Sequence, residues 1–347
     1  REMLELAAAE AWGVPVGEVM AEKSFLVHGR SSRKEPFSAF VNEVAAMTPS
    51  YTPSFKKPED YKIVGQFVPR RDIPSKVDGS AKFAMDVSLP GMLYATVLRS
   101  PVPGGTVVSL EDKDARNVAG VHEVLVIPSA SYSTMVGGFT AGETVAVVAD
   151  SYWSASKALR QINVQWSEVG YETVSSETIF SQFDKDLSAG TERQGDVSLG
   201  DADAIFAGAA KVIDADYNVP FLAHTCMEPL NATADVRDGQ AEIWVGCQNP
   251  LGFRRAVADS LGLDSEKVTL HNHVMGGGFG RKSVPDYALQ VAHISSVVGA
   301  PVQLIWSREE DVRQDFYRPA VKSRFRAAFD QDDNLIGWSN TYTNKNE

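Results

Sequence analysis

Cysteine and positive charge are both scarce in this sequence. Only Cys226 and Cys247 occur in 347 residues, too few and too far apart for a disulfide framework or for paired zinc or iron–sulfur ligands. Lysine and arginine number 33 against 45 acidic residues, so the net charge is −12. Such a surface repels nucleic acid phosphates and gains nothing from an anionic membrane. We expect no nucleic acid partner, and any iron–sulfur cluster would have to be carried by another chain.

Long apolar runs are absent as well. Candidates such as Val121–Ile127 and Thr144–Val148 are broken by polar residues within one strand length, whereas a membrane helix needs about 20 apolar residues. We therefore expect no membrane span. The chain begins at Arg1 rather than at a methionine and opens directly on a helical pattern, so we expect a middle fragment of a longer gene product.

The first 58 residues are predicted to form a helical segment followed by a linker. Apolar residues between Met3 and Trp12 recur at helical spacing, and Gly13 followed by Pro15 is typical of a helix end. A second apolar pattern over residues 37–47 predicts another helix. The stretch 48–58 is rich in proline, hydroxyl groups and lysine, which indicates a connector.

The remaining sequence indicates a mixed α/β fold. Residues 59–170 alternate short β-type runs with a helix, residues 171–203 form a polar surface excursion, and residues 204–347 begin a further domain. The predicted strands are 93–98, 121–127, 144–148, 163–166, 241–245, 268–273 and 302–306, and the predicted helices are 155–162, 205–212, 250–261 and 287–298.

A glycine-rich loop, Val274-Met-Gly-Gly-Gly-Phe-Gly-Arg-Lys282, directly follows the predicted strand 268–273. Successive glycines lack the Cβ atoms that would keep another group away from main-chain N–H donors. A simple turn needs fewer glycines, and here a large apolar residue, Phe279, lies inside the run. Arg281 and Lys282 add two cations where an anionic ligand would lie. We interpret the loop as one that lies against an oxo group, a phosphate or a flat cofactor.

Three other structures also use glycine-rich loops. A tight turn between a strand and a helix also uses glycine. A P-loop requires Gly-Lys-Ser/Thr at its end, but Gly280 is followed by Arg281. A dinucleotide fingerprint requires a third glycine three residues after the second, which the sequence lacks. Kinase and nicotinamide functions are therefore disfavoured.

Two further clusters are ambiguous by themselves. His224-Thr-Cys-Met-Glu-Pro229 brings together an imidazole, a thiol and a carboxylate, which suits metal ligation or acid–base chemistry, but it equally suits a buried Glu228 that binds backbone donors. Gln248 ends a predicted strand, where its amide can donate to an oxo ligand or serve as an ordinary turn residue.

The charged run Trp306-Ser-Arg-Glu-Glu-Asp311 is predicted to be a solvated helix start, with Ser307 as its cap. Farther along, Arg318 is a candidate for a buried ion pair.

Taken in order, these motifs resemble the molybdopterin-binding large subunits of the xanthine dehydrogenase and aldehyde oxidase family. Phe279-Gly280-Arg281 is similar to the isoquinoline 1-oxidoreductase beta subunit branch. The stretch Val77–Phe83 with Leu89–Met92 resembles the start of that family's α/β hammerhead domain. The resemblance implies a hammerhead domain over residues 59–170. It also implies part of a molybdopterin-binding region in residues 1–58 and the first part of the molybdopterin-binding domain in residues 204–347.

The resemblance also implies a cofactor, molybdopterin cytosine dinucleotide with molybdenum. In matching motifs of the family, the glycine loop lies beside the molybdenum, a glutamine hydrogen-bonds its apical oxo group, and an arginine approaches the cofactor phosphates. The positions that carry these roles here are Gln248, Gly277, Gly278, Phe279, Gly280 and Arg281.

The activity implied is hydroxylation of an N-heteroaromatic ring or oxidation of an aldehyde, with water as the oxygen source. Electrons would pass to a separate [2Fe-2S] subunit and on to a cytochrome c or another acceptor, and relatives of this branch are often periplasmic. Ser283 stands where purine-oxidising relatives have a glutamate, so xanthine is not expected. The family's catalytic glutamate would lie beyond Glu347, so the chain alone is expected to be inactive. The alternative is a non-catalytic scaffold or a phosphate-ligand binding module that kept the loop.

Overall fold

The computed structural model describes residues 1–134, 137–171, 173–190 and 197–344. The chain separates into two units, Arg1–Pro74 and Ser75–Glu347. The linker boundary predicted after residue 58 therefore falls inside the first unit. Within the described ranges, no helix combines the length and the apolar composition needed to cross a bilayer.

The first unit combines two helices with a small antiparallel sheet of order β1-β2-β3. Its core is formed by small, aliphatic and aromatic side chains, including Ala8, Leu26 and Phe40. The helices and strands are α1 (Glu2–Trp12), β1 (Val19–Glu22), β2 (Phe25–His28), β3 (Arg33–Pro36) and α2 (Val41–Ala45).

The first predicted helix is confirmed, and it ends at Gly13 in the left-handed conformation with φ of 65°. The prediction of a helical segment and a linker over residues 1–58 missed three strands, which lie between the two helices. Each of these strands has four residues, and β3 reads Arg-Lys-Glu-Pro, so no apolar alternation marks it. The second predicted helix is shorter than expected, since residues 37–40 form a 3-10 turn before α2.

The second unit contains the remaining helices and strands. Its helices are α3 (Ile73–Val77, which spans the boundary), α4 (Lys113–Arg116), α5 (Tyr152–Leu159), α6 (Ser176–Ala189), α7 (Ala202–Gly208), α8 (Pro250–Leu261), α9 (Asp286–Val298) and α10 (Arg308–Arg313). Its strands are β4 (Leu93–Arg99), β5 (Val107–Glu111), β6 (Val121–Ile127), β7 (Ala130–Thr134), β8 (Gly137–Ala141), β9 (Thr144–Ala149), β10 (Asn163–Trp166), β11 (Lys211–Val219), β12 (Asn231–Arg237), β13 (Gln240–Val245), β14 (Val268–Asn272), β15 (Val302–Ile305), β16 (Val321–Phe329) and β17 (Leu335–Asn344).

A mixed sheet of order β14-β13-β12-β15-β4-β9-β6 forms the centre of this unit. The β13–β14 and β15–β4 pairs are parallel, and the other neighbours are antiparallel. Strands β4, β6 and β9 come from the predicted α/β domain, whereas β12 to β15 come from the region after residue 204. One sheet therefore joins the two predicted domains through the β15–β4 pair. The glycine loop follows its edge strand, β14.

Helix α9 is almost surrounded by protein. Tyr287, Val291 and Ile294 are fully buried in the core that packs on the central sheet. The indole N–H of the buried Trp306 donates to the Gln290 side chain at 2.9 Å, so the one polar atom of that ring is satisfied. This packing fixes the start of α9, which is where the glycine loop ends.

Two predictions for the segment between residues 171 and 212 were wrong. The polar excursion contains helix α6, whose Phe183 and Leu187 are buried; the helical spacing of Ile179, Phe183 and Leu187 was the available signal. Residues 172 and 191–196 of this stretch lie outside the described part. The helix predicted over residues 205–212 ends at Gly208, and Lys211 already begins β11 of an antiparallel sheet, β11-β16-β17.

The cap of α8 provides a local test of the fold. Asn249 is its N-cap, and the side-chain oxygen accepts the Gly252 N–H at 3.0 Å. Asn249→Ala should lower the free energy of unfolding by about 1 kcal/mol because that N–H loses its partner. Asn249→Asp keeps the acceptor and is the matched control. Equal urea midpoints for the alanine and aspartate variants would contradict this assignment.

Candidate functional site

The glycine loop lies between β14 and the start of α9, beside strand-end residues from β13. Its backbone needs glycine at two positions, since Gly277 and Gly280 have φ of 102° and 104°. Phe279 also has a positive φ, 51°, which is strained for an aromatic residue, and its side chain is 64% exposed. An exposed aromatic ring held in a strained conformation indicates that the loop serves something other than packing.

The loop leaves three consecutive N–H donors available. Gly276 N–H donates to Oε2 of Glu228 at 2.8 Å, and Gly280 N–H donates to Oε1 of Gln248 at 3.0 Å. Among the described residues, the N–H groups of Gly277, Gly278 and Phe279 have no hydrogen-bond partner. Consecutive backbone N–H groups without a partner suit an anion or an oxygen-rich group.

Gln248 is oriented by the loop. Only the oxygen of an amide accepts, so the bond from Gly280 N–H assigns Oε1 to the loop and leaves the NH₂ group free to donate elsewhere. A Cβ atom on Gly278 would lie 2.7 Å from this oxygen, closer than real contacts allow. Glycine at position 278 is therefore required for the observed position of the Gln248 amide.

A buried ion pair joins the end of the glycine loop to Glu228. Lys282 Nζ lies 2.6 Å from Oε2 of Glu228, and the two side chains are 1% and 8% exposed. The Glu228 N–H donates to the carbonyl of Gly276, so residue 228 binds the loop through main chain and side chain. The sequence-based alternative of a buried Glu228 that binds backbone donors agrees with this geometry, with Lys282 as a further partner.

Arg281 is fully buried, and its guanidinium binds carboxylates of this chain. Nη1 and Nη2 donate to the two oxygens of Asp286 at 3.0 and 2.8 Å. Nε lies 2.9 Å from Oδ1 of Asp315, a contact without hydrogen-bond alignment. The ring of Phe316 lies 4.9 Å from the guanidinium carbon. Burial by itself would lower the pKa of Arg281, but the two carboxylates raise it above its ordinary value, so the group stays charged.

His224 also reaches the loop. Its Nδ1 lies 3.0 Å from Oδ2 of Asp315, and its backbone N–H donates to the same oxygen. The thiol of Cys226 contacts the carbonyl of Gly278 at 3.5 Å, and burial raises the pKa of Cys226. Burial likewise raises the pKa of Cys247 to about 11. Both thiols are therefore protonated near neutral pH, which suits structural cysteines rather than nucleophiles.

The structure brings the predicted site residues together at the glycine loop. Gln248 and residues 277–280 surround the free donors, whereas the Arg281 side chain points to Asp286 and Asp315 inside the protein. Its suggested approach to cofactor phosphates stays a prediction. Sequence reasoning missed Asp286 and Asp315; an acid five residues after Arg281, at a helix start, was the only available signal.

The charged run after Trp306 was only partly understood from the sequence. Ser307 caps α10 by accepting the Glu310 N–H, as expected. Two of its three acids are not solvated as predicted: Glu310 and Asp311 are 2% and 4% exposed, whereas Glu309 is exposed. Arg318 was also predicted wrongly, because its side chain is exposed and forms no ion pair among the described residues. Arg281 is buried instead, since it faces two carboxylates that Arg318 does not reach.

Glu310 should make stability depend on pH. Burial raises the pKa of Glu310 to about 7, although its Oε1 accepts the Arg99 N–H at 2.8 Å. Between pH 4.5 and 7 the folded carboxyl keeps its proton while the unfolded one loses it, so this group's contribution falls by up to about 3 kcal/mol as pH rises. Glu310→Gln lacks this effect. Urea unfolding should show that the free energy of unfolding of the variant, relative to that of the parent, is higher at pH 8 than at pH 5. The same difference at both pH values would contradict the shift.

A cavity of about 860 Å³ borders this region at Asn249 and Asp286. Its walls include Tyr132, Asn249, Arg255, Asp286 and Gln290. None of the residues 274–283 is among its lining residues in the described part of the chain. The volume suits a ligand, but the free donors and the Gln248 amide lie at the loop. The loop is therefore the better candidate site.

Comparisons with known proteins indicate the family of this chain. A family model described as a molybdopterin cofactor-binding domain matches residues 184–346. Isoquinoline 1-oxidoreductase subunit beta of Brevundimonas diminuta is 30% identical, covering 97% of this chain and 46% of the relative. The membrane-bound aldehyde dehydrogenase (pyrroloquinoline-quinone) of Gluconacetobacter polyoxogenes is 31% identical, covering 88% of this chain and 38% of the relative.

A solved structure shares the fold. Quinoline 2-oxidoreductase from Pseudomonas putida 86 matches with a TM-score of 0.59 at 24% identity, covering 79% of this chain and 38% of that chain. The chain spans less than half the length of the two curated relatives. Motif order, family model and relatives agree, so the chain belongs to the molybdenum hydroxylase family, as part of its large, molybdopterin-binding subunit.

Proposed function

We propose that the glycine loop binds molybdopterin with its molybdenum in an oxidoreductase that hydroxylates an N-heteroaromatic ring or oxidises an aldehyde. The observation that carries the proposal is the Gln248 amide. Gly280 N–H holds its oxygen, so its NH₂ group is free to donate beside the three unpartnered N–H groups of residues 277–279. Such a set of donors suits an oxygen-bearing, anionic group.

The residues present fit this cofactor. Glycine at position 278 leaves room for the Gln248 amide, since a Cβ atom there would lie 2.7 Å from Oε1. Lys282 and Arg281 are each paired with carboxylates beneath the loop, so they hold the donors in place rather than provide free charge. When bound, molybdopterin with its molybdenum supplies a two-electron oxidation that uses water as the oxygen source. The cytosine dinucleotide form is part of the proposal.

The substrate class follows from two residues at the loop. Phe279 exposes an apolar ring that offers its face to a flat, weakly polar molecule. The Ser283 hydroxyl donates to the Gly280 carbonyl at 2.6 Å, so it is used within the loop. Position 283 therefore offers no carboxylate to a polar purine, which favours a simple heteroaromatic ring or an aldehyde.

The electron acceptor is proposed to be a separate [2Fe-2S] subunit, followed by a cytochrome c or another acceptor. Both cysteines of this chain are buried, and their thiols contact Gly278 and Asn272. They are not arranged to hold a cluster, which four thiolates usually do. Purification from the native host should retain an iron–sulfur chain. The proposal also includes a periplasmic location, which cell fractionation tests.

The test is the cofactor content of the full-length protein, purified from its native host with molybdate supplied. We expect about one molybdenum and one pterin per protein, with oxidation of an N-heterocycle or an aldehyde. Pyrroloquinoline quinone in place of molybdenum and pterin, or none of the three, would overturn the proposal. The relative named for that quinone makes this alternative worth measuring.

Gly278→Ala tests the role of the loop directly. The added Cβ displaces the Gln248 amide, so we expect cofactor content to fall at least about tenfold. Gly208→Ala is the matched control, since nothing lies within 4 Å of a Cβ atom there and its φ is not positive. Full cofactor content in the Gly278 variant would show that the Gln248 amide does not hold the ligand.

A further inference from the structure

His224 stands apart from the residues that the function above uses. Its side chain is 11% exposed, and its Nδ1 lies 3.0 and 3.1 Å from the two oxygens of Asp315. A carboxylate only accepts, so Nδ1 carries the proton and the ring orientation is fixed. When that is the one proton of the ring, Nε2 holds a lone pair, and among the described residues it has no hydrogen-bond partner.

The unpartnered nitrogen lies next to the glycine loop. Gly280 has a φ of 104°, and the space that a Cβ atom would fill there is empty. Apart from Gly280 and its two chain neighbours, the described residues place one heavy atom within 4 Å of that point, Nε2 of His224 at 3.7 Å. A ligand that lies against the Cα of Gly280 on the side of the imidazole can therefore form a hydrogen bond with Nε2.

Asp315 connects His224 to the buried part of the site. Besides its contacts with the ring and the backbone N–H of His224, it contacts Arg281 Nε at 2.9 Å, and Arg281 in turn binds Asp286 at the start of α9. The carboxylate thus holds the imidazole against a buried, rigid group. An arrangement made only for stability would not need an unpartnered ring nitrogen beside an empty glycine surface.

We propose that His224 contacts the ligand of the glycine loop. Its Nε2 accepts a hydrogen bond from an N–H or O–H group of the molecule bound at Gly280. Asp315 is the positioning residue that holds this ring. The proposal rests on the proposed function, since the molecule at the loop is either the pterin or the substrate. The N–H groups of the pterin supply such a donor, and so does a heterocycle that bears an N–H or O–H group, whereas an aldehyde only accepts.

Two isosteric variants in the full-length protein from its native host separate this role from a structural one. His224→Asn keeps a donor near Nδ1, toward Asp315, and removes the ligand-side nitrogen. His224→Gln places an amide near Nε2 and gives up the bond to Asp315. Molybdenum and pterin content, kcat and KM with an N-heterocycle or an aldehyde, and the melting temperature are measured for each.

We expect the asparagine variant to be impaired at least about tenfold and the glutamine variant to stay within about threefold, although the asparagine variant melts closer to the parent. A loss of pterin identifies the cofactor as the donor, whereas a raised KM at unchanged kcat and pterin content identifies the substrate. The inference is overturned if a loaded parent and the asparagine variant agree in content and KM, or if glutamine is the more damaging change. A parent without molybdenum and pterin instead defeats the proposed function itself.

Discussion

Arg281→Met is expected to lower the free energy of unfolding of the second unit by about 3–5 kcal/mol. The substitution keeps the length of the side chain but leaves the carboxylates of Asp286 and Asp315, which are 0% and 2% exposed, without their cation. The Arg99 guanidinium lies 3.8 Å from Asp286, too far to replace two hydrogen bonds. Urea unfolding followed by circular dichroism measures the loss.

Arg324→Met is the matched control for this change. Arg324 also binds an aspartate, Asp216, with two hydrogen bonds at 2.9 Å, but both side chains are more than a third exposed. We expect a loss of no more than about 1 kcal/mol there. Arg281→Lys should fall between the two, since an ammonium group keeps the charge and loses the paired geometry. If both methionine variants lose the same stability, the buried position of Arg281 does not carry the effect.

Lys282→Met should also cost about 3 kcal/mol or more, because it leaves the buried Glu228 carboxylate unpaired. One oxygen of that carboxylate, Oε1, already has no hydrogen-bond partner among the described residues. The remaining bond from Gly276 N–H cannot balance the charge. We therefore expect the glycine loop to lose its observed position, with lower cofactor content as well as a lower urea midpoint.

A double variant decides whether the charge is the cause. Glu228→Gln removes the negative charge but keeps an oxygen for the Gly276 N–H. The double variant, Glu228→Gln with Lys282→Met, should have a free energy of unfolding at least about 1 kcal/mol higher than that of Lys282→Met alone. If the two losses simply add, the pair does not interact, and Lys282 contributes through packing only.

Much of the second unit was predictable because its elements are local and strongly patterned. The strands near residues 93, 121 and 241 and the helices α8 and α9 begin and end within a few residues of the predicted positions. The strands β12, β16 and β17 were missed, and so was helix α6. A mixed burial pattern such as that of β16 removes the regular alternation on which strand prediction depends.

The candidate site was predictable only in part. The glycine run marked the loop, and the spacing after Trp244 marked Gln248, but neither pattern states which atoms bind each other. Asp315 follows the loop by more than thirty residues and contacts Arg281 only after α9 and β15 have folded back. Contacts between residues so distant in sequence depend on the packing of the elements between them.

The amino-acid sequence by itself determined the scarcity of cysteine, the acidic surface and the order of motifs that identifies the family, because these are properties of composition and spacing. It also determined that residues 276–280 form an open, glycine-rich loop. Only the tertiary structure decided that Arg281 faces inward to two carboxylates and that the ring nitrogen of His224 lies beside Gly280. Both depend on buried charges that are stable only when paired, and the partners come together only when the central sheet and α9 have packed.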